Sequence, residues 1–213
     1  KQKKVFITCH SVKDVLKDDF KASLGWIADT LRQVHIFVHS VEDLNILKSF
    51  DLVENVTLFP HGVMKREHNL VNIDIYKNKL GIQNKKIVSS YGFMLPHKGI
   101  KELIKSYRIV KNKYIDAHLL LVNAIYPNPI SPEYADECQR LIEELKLEKD
   151  VTMINDFLSD EESFKYLDCS DLLVMPYRQT QESASGAVRY AISTNKPVVC
   201  TPISLFDDVS DVV

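Results

Sequence analysis

Short apolar runs alternate with longer amphipathic segments throughout the second half of the chain, and this alternation limits the possible folds more than any other feature. Five predicted strands after Lys86, in which apolar residues predominate, are each followed by a predicted helix, the last of which is cut short by the chain end: 87–91, 117–123, 151–154, 172–176 and 197–201. Continuous apolar runs suit parallel strands, which are buried on both faces. The alternation therefore predicts an α/β fold with a parallel sheet covered by helices on both faces.

The first sixty residues show the same alternation with fewer strands. Strands are predicted at 5–9, 36–39 and 56–59, which are too few for a complete domain of this kind. Residues 62–85 are polar, rich in Asn and Lys and without a sustained period, so they indicate a connector with room for one short helix. We therefore predict an incomplete first domain at 1–61, the connector at 62–85 and a second domain at 86–213, truncated at its end.

Serines before periodic segments predict several helix starts. Ser40, Ser131 and Ser159 are predicted N-caps, and Ser204 is predicted to start a last helix.

Composition excludes several classes of protein. Lys and Arg number 27 against 29 Asp and Glu, a net charge of −2, which does not favour a nucleic-acid partner. The four cysteines form no C-x-x-C pair, so we expect reduced, structural thiols in a cytosolic setting. The sequence contains no run of about eighteen apolar residues, so we predict no transmembrane helix. Both chain ends look cut, and we expect a fragment of a longer protein.

Common nucleotide, hydrolase and metal patterns are absent. No two of the six glycines are two residues apart, and G-K-[ST] and G-x-S-x-G do not occur. His35 and His39 are four residues apart and share one face of a strand, which leaves a metal pair open. No carboxylate or cysteine stands at ligand spacing beside them, so the sequence analysis assigns no metal site.

In a doubly wound sheet, ligands bind beyond the carboxyl ends of the strands, so residues just after strands carry the most information. The turn Gly92–Gly99 joins a strand to a helix and contains Lys98. A lysine point charge suits a phosphate, although a solvated lysine before a helix is the simpler alternative.

A second turn joins the strand 172–176 to a helix predicted over 183–193. That helix opens on small residues, Ser183 to Ala187, which cannot shield its first backbone N–H groups. Bare N–H groups and the helix dipole form an anion site, but small residues also let a helix pack tightly against a sheet. The turn leaves both interpretations open, and together with Lys98 it forms a plausible pyrophosphate clamp.

Several short motifs occur along the chain. Their order and spacing resemble those of the retaining group-1 nucleotide-sugar glycosyltransferases of the GT-B fold. In chain order they are H-S-x-x-D at 39–43, P-x-G-V at 60–63, G-x-x-x-x-x-K-G at 92–99, D-F-L-S-D-E-E at 156–162, M-P at 175–176, the glutamate at 182 and P-V-V at 197–199. The resemblance implies two Rossmann-like parallel-sheet domains, of which this chain holds the end of the first and most of the second.

The resemblance also implies a site and a reaction. Lys98 and Gly92 would meet the pyrophosphate of a UDP- or GDP-sugar, and N–H groups around Ser185, Gly186 and Ala187 would hold it. Glu182 would face the donor sugar, and His10 would face the cleft from the first domain. The activity implied is that of a retaining, metal-independent hexosyltransferase without a cofactor, acting on a glycan or lipid-linked acceptor in polysaccharide or glycolipid assembly. The expected location is cytoplasmic, with peripheral attachment to a membrane left open.

Two positions depart from the family pattern. The second glutamate of E-x7-E, which grips the ribose in the family, is here Tyr190, whose hydroxyl is a candidate substitute. The basic residue usual after Gly92 is Phe93, for which Arg178 or Arg189 could compensate.

These departures favour an alternative hypothesis, a GT-B-like binding or scaffolding module without activity. Glu182, Lys98 and the amide cluster favour an active enzyme, and we predict the enzyme. A second rival is an epimerase or a phosphorylase that shares the fold. A phosphorylase would need a lysine placed to hold pyridoxal phosphate, and the sequence shows no signal for one.

Overall fold

A computed structural model describes residues 4–12, 28–66, 73–180 and 182–213. They form two compact units. Unit 1 comprises the described residues of Lys1–Gly62, Gln179–Gly186 and Ile203–Asp211, and unit 2 comprises those of Val63–Arg178, Ala187–Pro202 and Val212–Val213. Within these ranges, no helix is both long and apolar enough to span a membrane.

Unit 1 is built on a parallel sheet in the order β1–β2–β3, with strands Phe6–Cys9, His35–Val38 and Val56–Leu58. Helix α1, Val41–Lys48, follows β2 and packs Ile46 and Leu47 onto the buried face of the sheet. Ser40 is its N-cap and accepts a hydrogen bond from the backbone N–H of Asp43, as the sequence predicted. The three strands predicted here are therefore confirmed to within one residue at each end.

Unit 2 is built on a five-stranded parallel sheet in the order β6–β5–β4–β7–β8. The strands are β4 Lys86–Phe93, β5 Ala117–Ala124, β6 Val151–Ile154, β7 Leu172–Met175 and β8 Val198–Cys200. The helices that follow α1 along the chain are α2 Ile73–Leu80, α3 Ile100–Lys113, α4 Ile130–Glu144, α5 Asp160–Leu167 and α6 Gly186–Ser193, with a short 3-10 turn at Pro96–Lys98. A second 3-10 turn, Ser204–Val209, belongs to unit 1.

Strand β5, which lies between β6 and β4, shows why helices cover both faces of this sheet. Its side chains alternate between two cores: Leu119 and Leu121 pack with residues of α3 and α4, whereas Leu120 and Val122 pack with residues of and around α2. Successive strand residues point to opposite faces, so a strand with apolar side chains on both faces must be covered twice. The predicted parallel sheet between two helical layers is confirmed.

The strand order creates a switch point between β4 and β7. The chain runs from β4 outward through β5 and β6, and then continues on the other side of β4 through β7 and β8. The turns after β4 and β7 therefore leave neighbouring strands in opposite directions, which opens a crevice at the carboxyl edge of the sheet.

Three predicted helix starts were wrong. Helix α6 begins at Gly186 rather than near Ser183. Helix α4 begins at Ile130, so Ser131 is not its cap; the Ser131 hydroxyl instead donates to the carbonyl of Met94 at 2.7 Å. The segment from Ser204 is a 3-10 turn, not the start of an α-helix.

Candidate functional site

Two glycines let the turns at the switch point approach each other. Gly99 has a φ of +69°, and a Cβ added there would lie 1.9 Å from the carbonyl oxygen of Pro176. Gly92 has a φ of +130°, and a Cβ there would lie 3.3 Å from the Cβ of Ala187. The positive φ angles and the close approaches both require glycine. The structure thus brings together Gly92 and Ala187, two of the predicted site residues.

Lys98 is buried in this crevice. It is 7% exposed, and its Nζ lies 4.2 Å from the centroid of the Tyr177 ring. A lysine is rarely buried unless its charge is compensated, and the face of an aromatic ring attracts a cation. The simpler alternative from the sequence, a solvated lysine, is therefore wrong.

The start of helix α6 combines close packing with open space. Ala187 packs against Gly92, as a tight helix–sheet contact requires, but a Cβ added at Gly186 would meet nothing within 4 Å. Ser185, which precedes the helix, is 2% exposed. The packing interpretation of the small residues therefore holds for Ala187, whereas the anion site at the helix start stays a prediction.

Glu182 belongs to the segment 179–186, which packs with unit 1, the unit that also contains His10. Asp43 anchors this segment, because its Oδ1 accepts hydrogen bonds from the Ser183 hydroxyl at 2.9 Å and from the backbone N–H of Val12 at 3.0 Å. Glu182 itself is partly buried. The two residues predicted to face the sugar thus lie in the same unit.

Tyr190 is held by an aromatic stack and by a carboxylate. Its ring lies 5.0 Å from that of Tyr91 and 5.2 Å from that of Phe164, between centroids, and its hydroxyl donates to Asp160 Oδ1 at 2.7 Å. The hydrogen bond to Asp160 and burial raise the pKa of Tyr190 well above its usual value. Asp160 was missed by sequence reasoning, although it belongs to the D-F-L-S-D-E-E motif.

Phe93 belongs to an aromatic cluster that lies beyond three neighbouring strands. Its ring is 4.9 Å from that of Tyr126 and 6.2 Å from that of Phe157, measured between centroids. Phe93 ends β4, and Tyr126 and Phe157 follow β5 and β6, which are neighbours in the sheet. Phe157 is 79% exposed. The sequence signal, an aromatic residue at or just after each of three strands, was present but not used.

The arginines expected to compensate for Phe93 lie in different surroundings. Arg178 forms an ion pair with Glu102, and its side chain is 60% exposed. Arg189 is 3% exposed, so it is a buried residue and not a surface charge. Neither position supports the simple replacement of a basic residue after Gly92.

Asn123 is a further polar residue at this edge. It is the penultimate residue of β5, in register with Gly92 on β4, and is fully buried. Within the described part of the chain, neither its side-chain oxygen nor its nitrogen has a hydrogen-bond partner. Buried amide groups normally bond to something, so this side chain is suited to a polar ligand or an ordered water.

The metal pair of His35 and His39 that the sequence left open finds no support in the contacts of these two residues. His35 contacts the Thr57 hydroxyl at 2.9 Å. His39 lies instead beside His10 and His61, with ring centroids 5.0 and 4.9 Å away. The sequence separation of His10, His39 and His61 hid this cluster.

All four cysteines are free thiols. Burial raises the pKa of each thiol, to about 12 for Cys138 and to about 11 for Cys169 and Cys200. These thiols are therefore not activated nucleophiles.

Comparison with known proteins adds a family to this geometry. The model of the family described as glycosyl transferases group 1 matches residues 72–210. No curated protein matches the chain.

Among solved structures, the chain is similar to HepE of Anabaena in complex with UDP-glucose, with a TM-score of 0.71 and 16% identity over 95% of this chain and 54% of HepE. It is also similar to a glycosyltransferase from Rickettsia africae, with a TM-score of 0.71 and 19% identity over 93% of this chain and 51% of that chain. A third is WaaG, a glycosyltransferase involved in lipopolysaccharide biosynthesis, with a TM-score of 0.67 and 18% identity over 93% of this chain and 53% of WaaG.

At these identities the likeness shows the fold, a GT-B arrangement of parallel α/β sheets. The chain spans about half the length of these three structures.

Proposed function

The chain belongs to the group 1 glycosyltransferases, and from that premise we propose that it transfers a sugar from a UDP- or GDP-sugar to a glycan or lipid-linked acceptor. We further propose that the reaction retains the anomeric configuration and needs neither a cofactor nor a metal ion at the pyrophosphate. The observation that carries the proposal is the buried Lys98 at the switch point between β4 and β7.

The pyrophosphate is assigned to the crevice that Lys98 occupies. A buried ammonium group that already contacts the Tyr177 ring has few waters to lose when an anion binds. Helix α6 begins directly beside Gly92, and its first N–H groups, at Gly186 and Ala187, present the positive end of the helix dipole. As the bond to the sugar breaks, negative charge grows on the leaving diphosphate, and these fixed donors stabilise it.

The donor sugar is assigned to Glu182 and His10. Glu182 lies in the segment between β7 and the start of α6, only four residues before Gly186. A sugar attached to a pyrophosphate at the helix start is therefore within reach of this segment. We propose that Glu182 contacts the hydroxyl groups of the sugar and that His10 meets it from unit 1.

The nucleoside is assigned to the other side of the crevice. Asp160 offers a carboxylate oriented by the Tyr190 hydroxyl, and carboxylates accept hydrogen bonds from ribose hydroxyls. The exposed ring of Phe157, stacked on Phe93, offers an apolar face on which a base can stack. Asp160 thereby takes the part that a glutamate at position 190 would play.

One alternative function keeps the nucleotide site without the chemistry. Tyr190 in place of the second glutamate and Phe93 in place of a basic residue favour a GT-B-like module that binds but does not transfer. Binding of a sugar nucleotide without its turnover by the protein would support this alternative.

The first experiment is a calorimetric titration of the chain with UDP, GDP and their sugar conjugates. We expect saturable binding of one nucleotide. Lys98→Met removes the charge but keeps most of the stem, and we expect it to weaken binding by roughly 1–3 kcal/mol, the value of a hydrogen bond to a charged group.

Lys101→Met is the matched control, because Lys101 lies three residues further along and pairs with Glu137 instead. We expect its nucleotide affinity to equal that of the wild type. A folded wild-type chain that binds none of these nucleotides, or Lys98→Met binding as well as the wild type, would overturn the proposal.

A further inference from the structure

Three histidines lie together at the carboxyl edge of the sheet in unit 1. His10 directly follows β1, His39 directly follows β2, and His61 lies three residues beyond β3. Because β1, β2 and β3 are parallel neighbours, their carboxyl ends meet at one edge. One ring nitrogen of each histidine lies within 4.8 Å of those of the other two. The sheet thus gathers three imidazoles that are far apart in sequence.

The central histidine is fixed in one tautomer. His39 Nδ1 lies 2.9 Å from the carbonyl oxygen of Phe59, which can only accept a hydrogen bond, so Nδ1 carries the proton. In the neutral imidazole, the lone pair then resides on Nε2. A backbone carbonyl that holds one ring nitrogen and leaves the other as a ligand is the usual arrangement behind a metal-bound histidine.

His39 Nε2 is also buried without a partner. His39 is 7% exposed, and among the described residues its Nε2 has no hydrogen-bond partner. Simple packing of three rings would leave this lone pair unsatisfied, which is unfavourable in a buried position. A bound cation would use that lone pair, so the packing alternative explains the geometry less well.

The donor set selects the class of metal. Imidazole nitrogen suits zinc and its neighbours in the transition series, whereas magnesium and calcium require oxygen ligands. Zinc–nitrogen bonds of about 2.0–2.1 Å in a tetrahedral site place ligand atoms roughly 3.3 Å apart. The observed spread of up to 4.8 Å needs a modest inward rotation. His10 is exposed and His61 partly buried, so both rings have room to rotate.

We propose that unit 1 binds one zinc-class divalent ion through His10, His39 and His61, with a fourth coordination position open to water or a ligand. This site goes beyond the proposed sugar transfer, for which the pyrophosphate is held by Lys98 and backbone amides. His10 is common to both proposals, so the bound ion engages the imidazole assigned to the donor sugar.

The test is a titration of the untagged chain with ZnCl₂, and with CoCl₂ followed by visible absorption, in the absence of nucleotide. We expect one ion per chain and a tetrahedral cobalt spectrum. His39→Gln and His61→Gln should each weaken binding at least about tenfold, since loss of even an outer-shell partner costs 10–100-fold. His61 lies in a loop outside helices and strands, so its replacement tests the site with little risk to folding.

His35→Gln is the matched control, because His35 lies in the same sheet but contacts Thr57. We expect it to bind zinc as the wild type does. Absence of zinc binding by the folded wild-type chain, or binding that survives both His39→Gln and His61→Gln, would overturn the site. Because no nucleotide is present, failure here is independent of the proposed transferase activity.

Discussion

Tyr190 shows how a side chain can bring a distant carboxylate to a candidate site. The position lies in α6, and the phenol extends to Asp160 at the start of α5. The two residues are 30 positions apart, so the pair exists only because the fold brings Tyr190 against the first residues of α5. A carboxylate is therefore present at this edge although position 190 lacks one.

We expect Asp160→Asn to weaken nucleotide binding by about 1–2 kcal/mol. Asp160 is exposed, so its bond to a ribose hydroxyl falls at the low end of the range for charged hydrogen bonds. The measurement is calorimetry with the ribonucleotide and with its 2′-deoxy and 3′-deoxy analogues. If Asp160 binds the ribose, the substitution should cost less affinity for at least one deoxy analogue.

Glu161→Gln is the control for charge alone. Glu161 lies next to Asp160 in the first turn of α5 and pairs with Lys165 on the surface. We expect its nucleotide affinity to match that of the wild type. Equal losses in the two variants would show that net charge, rather than a ribose contact, causes the effect.

His118 predicts a pH-dependent stability. It is 4% exposed in β5, and burial lowers its pKa to about 4. In the unfolded chain the His118 imidazole takes up a proton near pH 6.5, whereas in the folded chain it stays neutral until about pH 4. The free energy of unfolding therefore falls as the pH is lowered from about 7 toward 4. We expect a loss of about 1–2 kcal/mol between about pH 7.5 and pH 5 from this residue.

His118→Gln tests this by removing the titrating ring while keeping a donor for the Thr152 hydroxyl, which the ring contacts at 2.8 Å. Denaturant unfolding at the two pH values should show a smaller stability loss in the variant than in the wild type. Identical losses in both proteins would contradict the assignment to His118.

At the level of secondary-structure elements, the helix starts show where local patterns are weakest. A serine before a periodic segment predicts an N-cap, and this was right for Ser40 and Ser159. It was wrong for Ser131, whose hydroxyl bonds to the carbonyl of Met94, 37 residues away. A cap predicted from neighbours in sequence fails when the side chain finds a distant partner.

The turn before α3 depends on Gly99, and we expect Gly99→Ala to destabilise the chain by about 2–4 kcal/mol. The new Cβ would add left-handed strain and a collision with the backbone of Pro176. Gly81→Ala is the control, since Gly81 has a φ of +67° but nothing within 4 Å of an added Cβ. It should cost only the strain, about 1–2 kcal/mol. Equal midpoints in chemical denaturation would contradict the collision.

For the molecule as a whole, the candidate ligand sites lie at the carboxyl edges of the two sheets. In unit 2 these are the turns after β4, β6 and β7, and in unit 1 they are the histidines after β1, β2 and β3. Parallel strands bring their carboxyl ends to one edge. The side chains of the strands fill the core, so the loops at this edge supply the side chains that can bind a ligand.

Hydrogen exchange with and without a saturating nucleotide tests this distribution. We expect slower exchange at 92–99, 155–160 and 182–187, which flank the proposed donor site. The loops at the amino edge, 83–85, 114–116 and 146–150, should exchange at unchanged rates. Protection confined to the amino-edge loops would place the nucleotide elsewhere.

Much of the fold followed from local pattern. Strands such as β5 carry apolar side chains on both faces because helices cover both faces of the sheet. This pattern of apolar residues can be recognised in the sequence alone. The turn Gly92–Gly99 was recognisable because its two glycines and Lys98 lie within eight consecutive residues. The family resemblance rested on such local segments, and the match over residues 72–210 confirms it.

The contacts that give the sites their chemistry were not readable in this way. The burial of Lys98 against Tyr177, the bond from Tyr190 to Asp160 and the meeting of three histidines each depend on which strands are neighbours. An apolar run shows that a strand is buried but carries little information about the strand beside it, because many neighbours satisfy the same hydrophobic requirement. The order β6–β5–β4–β7–β8 settles that choice through the packing of the whole sheet.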